Sequence, residues 1–186
     1  MNAGDRARPM SNFAYRGMEW LMAAWDLLRG KPTHHLRPAH VQPGMTAVDY
    51  ACGPGHYTIP LAEAVGPAGR VFAVDIQPLA LQTVAGLAAR RGLQNVTPVL
   101  AQGYDTGLPS ATADLGVFLD AFHMVADPEA LLREVHRLLK PNGMLLMDPG
   151  HSRLPPVLAR VERLGLFVMQ QLAGHRMLLR REAAQA

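Results

Sequence analysis

Val48-Asp49-Tyr50-Ala51-Cys52-Gly53-Pro54-Gly55-His56-Tyr57-Thr58 carries the chain from an apolar run, through an acid and two closely spaced glycines, into a helical pattern. The apolar residues over 45–48 suit a buried strand, and from Thr58 onward they recur at helical spacing, so the stretch predicts strand, tight loop and helix. A loop folding back between those elements needs positive φ and room for a ligand against bare backbone, which Gly53 and Gly55 supply. A dinucleotide fingerprint would place a third glycine at position 58, where Thr58 stands. In outline this is a cofactor loop of another kind.

Downstream, Gly66-Pro67-Ala68-Gly69 reads as a turn, and residues 70–75 form a second apolar strand ending in Asp75, 26 positions after Asp49. In such folds a ribose-binding acid is expected near that spacing. An ionised carboxylate can accept both hydrogen bonds offered by vicinal ribose hydroxyls. As an N-cap before Gln77-Pro78, Asp75 would need only one oxygen. Two strand-terminal acids around one glycine loop favour the ligand role, with Ile76 beside it.

The alternation continues. Residues 78–91 form a helix stopped by Gly92, 96–100 a third strand, 114–119 a fourth and 144–147 a fifth. Asp127-Pro128-Glu129 opens a helix with an acid at the cap and proline at its first position, and Leu131, Leu132, Val135, Leu138 and Leu139 form its apolar stripe. Lys140-Pro141-Asn142-Gly143 should end that helix. Residues 154–164 are helical, and 166–172 with 175–181, on either side of Ala173-Gly174, read as a closing hairpin. The expected architecture is one doubly wound α/β domain: a Rossmann-like, mostly parallel sheet, a C-terminal antiparallel hairpin and an added N-terminal helix.

The pattern D-x-A-x-G-x-G over 49–55 resembles motif I of the class I S-adenosylmethionine-dependent methyltransferases, with Ala51 where that family most often has its first glycine. The resemblance covers about residues 44–181. It implies that Asp49, Ala51, Cys52, Gly53, Pro54 and Gly55 surround S-adenosylmethionine, with S-adenosylhomocysteine as product. The family often reads G-D-x-x-x-L-P after the third strand, its acid binding the adenine amino group. Here Gly103, Leu108 and Pro109 keep the frame, Tyr104 takes the acid's place and Asp105 follows, so either residue could meet the adenine. By the same resemblance Asp120 lies at the floor of the methyl-donor pocket, ahead of His123. His123 and His151 are the candidate bases or substrate clamps, since imidazole titrates near neutrality; each could equally be a half-buried histidine satisfied by backbone. The run 138–143 looks like the family's L-K-P-G-G turn. The implied reaction is methyl transfer to a small acceptor. A nicotinamide-dependent oxidoreductase and a non-catalytic S-adenosylmethionine or nucleotide binder are the alternatives.

The rest of the chain bounds this reading. With 186 residues the chain is long enough to bury a real core as one domain. One cysteine excludes a disulfide framework and a cysteine zinc cluster. A formal charge of +3 with no dense basic stripe gives no footprint for nucleic acid. No bilayer-spanning apolar run or signal-peptide core is present, so the expected location is the cytoplasm. Residues 1–11 read as a flexible arm, 12–43 as an N-terminal helical segment and 44–186 as the cofactor-binding domain. Met18, Leu21, Met22, Trp25 and Leu28 recur at helical spacing on that segment, which could pack on the domain edge or cover the cofactor with Tyr15 and Arg16 near its mouth. His34, His35 and His40 have no cysteine or carboxylate nearby, so no metal is expected and they read as solvated linker residues. The short substrate region suits a small molecule, or an open site completed by the N-terminal helix or by a second subunit in a homodimer.

Overall fold

The computed structural model describes residues 9–29 and 32–182. In chain order the elements are α1 (Asn12–Arg29), a 3-10 helix (Pro32–Ala39), β1 (Thr46–Tyr50), α2 (Thr58–Val65), β2 (Arg70–Asp75), α3 (Pro78–Arg90), β3 (Val96–Leu100), β4 (Ala113–Phe118), a 3-10 turn (Phe122–Met124), α4 (Pro128–Leu138), β5 (Leu139–Met147), α5 (Leu154–Leu164), β6 (Phe167–Ala173) and β7 (Arg176–Arg181). The strands form one sheet in the order β3-β2-β1-β4-β5-β7-β6. The first five run parallel, while β7 is antiparallel to both β5 and β6. Between β1 and β4 the strand order reverses, and open α/β sheets place a crevice at that point.

The central strands are buried on both faces, which is why they read as unbroken apolar runs. Val48, Tyr50, Phe72 and Phe118 pack beneath α4 and α5, whereas Ala47, Val71, Leu115 and Val117 pack beneath α2 and the first 3-10 helix. The edge strand β3 is half exposed, and an edge tolerates Pro98 because it lacks a second ladder to satisfy. Asp127 caps α4 by accepting hydrogen bonds from Glu129 N at 3.1 Å and Ala130 N at 3.0 Å.

Between β3 and β4, residues 101–112 form a loop closed by a bridge between Gln102 and Asp105. Residues 140–143, expected to be a turn, are a bulge within β5, because pairing with β4 begins at Leu139 and jumps from Ala113 to Leu115 opposite Met144. Asn142 takes a φ of 63° inside that bulge, a backbone that asparagine tolerates. The expected apolar stripe of α1 falls partly on Met18, Met22, Trp25 and Leu28, whose side chains lie outside the described residues; Leu21, like Phe13 and Trp20, is exposed. No described helix is long and apolar enough to cross a membrane.

Candidate active site

The glycine loop is built from both sides. Tyr50 ends β1 with its ring in the core and its hydroxyl donating to Tyr104 O at 2.6 Å. Ala51 then turns the chain with a φ of 59°, and Gly53 and Gly55 follow at 50° and 91°. The left-handed backbone at Ala51 explains why a glycine suits that position, since a methyl there costs about 1 to 2 kcal/mol. A Cβ on Gly55 would lie 3.1 Å from Val84 Cγ2, so its bareness lets the loop seat on α3.

Asp75 fixes this loop to β2. Its Oδ2 accepts from Gly53 N at 2.9 Å and its Oδ1 from Gln77 N at 2.8 Å. Asp75 is not the cap of α3, which begins after Gln77 without a side-chain cap, and its carboxylate keeps further lone pairs beyond these two bonds. Burial pushes its pKa above the usual carboxylate range, and the amides of Gln77 and Gly53 pull against that shift.

Asp75, Ile76, Ala51, Gly53 and Tyr104 all line one cleft at the carboxyl ends of the strands. Tyr104 is held there by the bond to its carbonyl and by Asp127 N, which donates to its hydroxyl at 2.7 Å. Asp105 is exposed, and its Oδ1 accepts from Gly107 N at 2.8 Å, so the geometry puts Tyr104 rather than Asp105 against the cleft. Ala121 and Met124 form the opposite wall, and Pro9, Met10 and Tyr15 reach over from the amino-terminal side. Gln77 Nε2 donates to Met10 O at 2.8 Å and Thr83 Oγ1 to Glu19 at 2.7 Å, which pins that segment to α3.

Asp49 and Cys52 sit beneath the cleft. Asp49 is buried, and its Oδ2 accepts from Thr58 Oγ1 at 2.5 Å. Burial pushes its carboxyl up to about 7, against the pull of the Thr58 hydroxyl. Threonine at position 58, where a dinucleotide loop has glycine, therefore has a local reason. Cys52 packs with Ala73 and Val84 in a small core, and burial pushes its thiol well up, so it contributes backbone rather than sulfur chemistry. Pro54 lies in the loop between the two glycines and is not itself among the residues that line the cleft.

At the ends of β4 and β5 the remaining candidates gather. His123 and His151 stack edge to face with ring centroids 4.5 Å apart, and His151 N points at His123 Nδ1 at 3.4 Å. Burial and the neighbouring His151 lower the pKa of His123. With Nδ1 accepting, neutral His123 carries its proton on Nε2. Asp148 is buried and joins the two strand ends, its Oδ1 accepting from Asp120 N and Gly150 N, each at 2.9 Å. A Cβ on Gly150 would fall 2.4 Å from His123 Nδ1, so glycine is what admits the imidazole.

The linker expectation for His35 fails. His35 is half-buried, its Nδ1 lies 2.9 Å from the Tyr57 hydroxyl, and that hydroxyl donates to Asp120 Oδ2. Burial, then Arg176, pushes His35 down to about 4, so it is neutral at pH 7. These partners are 22 and 63 residues apart in the chain, too far for any local pattern to reveal. Among the described residues no group of three or more histidine, cysteine or acidic side chains could hold a metal.

Residues 41–178 match the model of a family described as methyltransferase domain. The chain is 34% identical over 109 residues to the demethylmenaquinone methyltransferase of Geobacillus stearothermophilus, covering 59% of this chain and 47% of that one. It is 34% identical over 104 residues to the nocamycin O-methyltransferase of Saccharothrix syringae, covering 56% and 37%. It thus spans about half or less of the length of these curated relatives. A crystal structure of an S-adenosylmethionine-dependent methyltransferase from Aquifex aeolicus superposes with a TM-score of 0.77 at 19% identity, over 93% of this chain and 98% of that one. With a family model spanning most of its length, the chain belongs to the methyltransferase domain family, and it shares the fold of the Aquifex aeolicus enzyme.

Proposed function

We propose that the protein transfers a methyl group from S-adenosylmethionine to a small-molecule acceptor. One observation carries the reading: Asp75 clamps the glycine loop at Gly53 with one oxygen and still lines the cleft at the sheet's switch point. The donor set suits such a cofactor. Asp75 would take the ribose hydroxyls, and Ile76 and Tyr104 would enclose the adenine, an apolar face with a tyrosine for stacking. The Tyr15 hydroxyl is buried at the cleft without a hydrogen bond among the described residues, its neighbour Thr83 giving its proton to Glu19, so it can serve a polar group of the ligand.

When bound, the cofactor supplies an electrophilic methyl on a sulfonium whose sulfur is already a good leaving group. The chain's own work is then alignment and exclusion of water, worth about 7 to 11 kcal/mol in well-ordered cases. Ala51 and Gly53 would set the depth of the methionine end, with Cys52, Pro54 and Gly55 holding the loop's shape and Asp49 supporting it through Thr58. Asp120, His123 and His151 would face the acceptor. Both curated relatives carry names that refer to small molecules, which supports an acceptor of that size.

Calorimetric titration with S-adenosylmethionine, S-adenosylhomocysteine and NAD side by side tests the reading. Binding of both adenosyl sulfur compounds, followed by transfer of tritiated methyl to small-molecule extract, is the expected result. Binding of NAD alone refutes it, and binding without any transfer points to a non-catalytic binder.

A further inference from the structure

The line from His35 through Tyr57 to Asp120 lies outside everything the glycine loop requires. Tyr57 has one hydroxyl proton and gives it to Asp120 Oδ2, so His35 Nδ1 must carry a proton and donate to the tyrosine oxygen. The neutral state of His35 allows this, with the proton on Nδ1 and Nε2 left bare. Asp120 Oδ2 is thereby occupied, while Oδ1 makes no hydrogen bond among the described residues and the residue is exposed. Its backbone is held in the left-handed region, φ 58°, by Asp120 N donating to Asp148 Oδ1. Asp120 is not itself among the residues that line the cleft, but it adjoins Ala121 on the cleft wall, tethered at its amide and at one oxygen in a backbone conformation that often marks functional positions.

The neighbouring imidazole is less suited to take a proton. His123 Nδ1 is approached by His151 N, so in the neutral ring Nε2 bears the hydrogen and acts as a donor. The pair is therefore complementary: a proton acceptor at Asp120 and a donor at His123.

We infer that Asp120 Oδ1 is the general base of the reaction, positioned by Tyr57 and His35, and that the acceptor is an acidic hydroxyl, a phenol or enol. This rests on the methyltransferase reading. A carboxylate is a weak base, so it takes a proton most readily from an acidic hydroxyl. Thioethers and tertiary amines carry no proton on the attacking atom and would need no base. In the step, the acceptor O–H bond breaks and its proton goes to Asp120 Oδ1. The oxygen forms a bond to the methyl carbon, the carbon–sulfur bond breaks, and its electron pair stays on sulfur, leaving a methyl ether and a neutral thioether. Asp120, being exposed, then returns its proton to water.

The test uses the full chain with tritiated S-adenosylmethionine at pH 8 and four probes: phenol, 4-nitrophenol, benzylamine and thiophenol. Asp120→Asn suits the site because asparagine tolerates positive φ. The wild type should form labelled ethers from both phenols. Asp120→Asn should lose about 100-fold in kcat on phenol, the range for a general base, but less than about tenfold on 4-nitrophenol, which is already ionised. Tyr57→Phe should lower kcat on phenol about tenfold with KM for phenol and calorimetric affinity for S-adenosylmethionine unchanged, and His35→Gln, which retains a donor to Tyr57, should lose less. Binding of phenol to the S-adenosylhomocysteine complex, also measured by calorimetry, should weaken in Asp120→Asn. Urea unfolding of each variant identifies any that fail to fold, and should Tyr57→Phe be one of them, His35→Ala, which removes the donor to Tyr57, stands in for it. Equal losses on both phenols, or labelled benzylamine or thiophenol in place of ethers, overturn the assignment. So does a wild type that binds S-adenosylmethionine and yields no ether. A wild type that does not bind S-adenosylmethionine refutes the methyltransferase reading itself.

Discussion

Replacing Asp49 with asparagine should stabilise the protein at alkaline pH and leave it little changed at acid pH. Among the described residues the buried carboxyl has one hydrogen-bond partner, the Thr58 hydroxyl, and no cation. The folded protein keeps the Asp49 proton until about pH 7, whereas the unfolded chain releases it near 3.8. Between those values the folded state binds more protons than the unfolded one, so stability falls as pH rises through the window and levels off above about 7. At 1.36 kcal/mol per pH unit the loss across the window comes to about 4 kcal/mol. Asparagine keeps an oxygen for Thr58 Oγ1 and carries no charge at any pH. The difference in unfolding free energy between Asp49→Asn and wild type should therefore grow by about 4 kcal/mol from pH 4 to pH 8. With a urea slope of about 2 kcal/mol per molar, the variant's midpoint should gain about 2 M on the wild type over that range. A difference that stays flat with pH would show that Asp49 is ionised in the fold, and the burial argument would fall.

Asp75→Ala should weaken S-adenosylmethionine binding by about 1.5 to 3 kcal/mol, the range for hydrogen bonds to a charged group, and free Gly53 N from its anchor; unchanged affinity by calorimetry would remove Asp75 from the ribose site. Ala51→Gly should raise stability by about 1 kcal/mol, because the φ of 59° suits glycine better than alanine, and a thermal unfolding midpoint that does not rise would contradict the strain. Gly150→Ala should displace His123, whose Nδ1 lies 2.4 Å from the new methyl position, and lower methyl transfer at least tenfold while S-adenosylmethionine affinity stays within about twofold. The imidazole proton resonances of His123 and His151 report that displacement directly, and an unmoved pair with full activity would separate Gly150 from the site.

The elements that depend on near neighbours were legible in the chain itself. Apolar runs marked the strands, Asp127-Pro128 marked the start of α4, and the glycine spacing marked the loop, because strand burial, capping and positive φ act over a few residues. In the sequence the bulge in β5 looks like a turn, because Pro141, Asn142 and Gly143 have turn chemistry whether or not a neighbouring strand captures them. For Tyr104 and Asp105 the choice depended on which of two adjacent residues the 101–112 loop presents to the cleft, and the bonds from Tyr50 and Asp127 make it. His35 looked like a linker histidine because its partners lie on other elements. The strand order places β4 beside β1 and so brings Asp120 to Tyr57 across 63 residues. Sequence alone therefore determined the succession of elements and the cofactor loop, whose causes are local. Only the tertiary structure decided that Asp49 is buried, that Asp75 holds the loop, and that His35, Tyr57 and Asp120 form one line, because desolvation and contacts between distant residues arise when the sheet assembles.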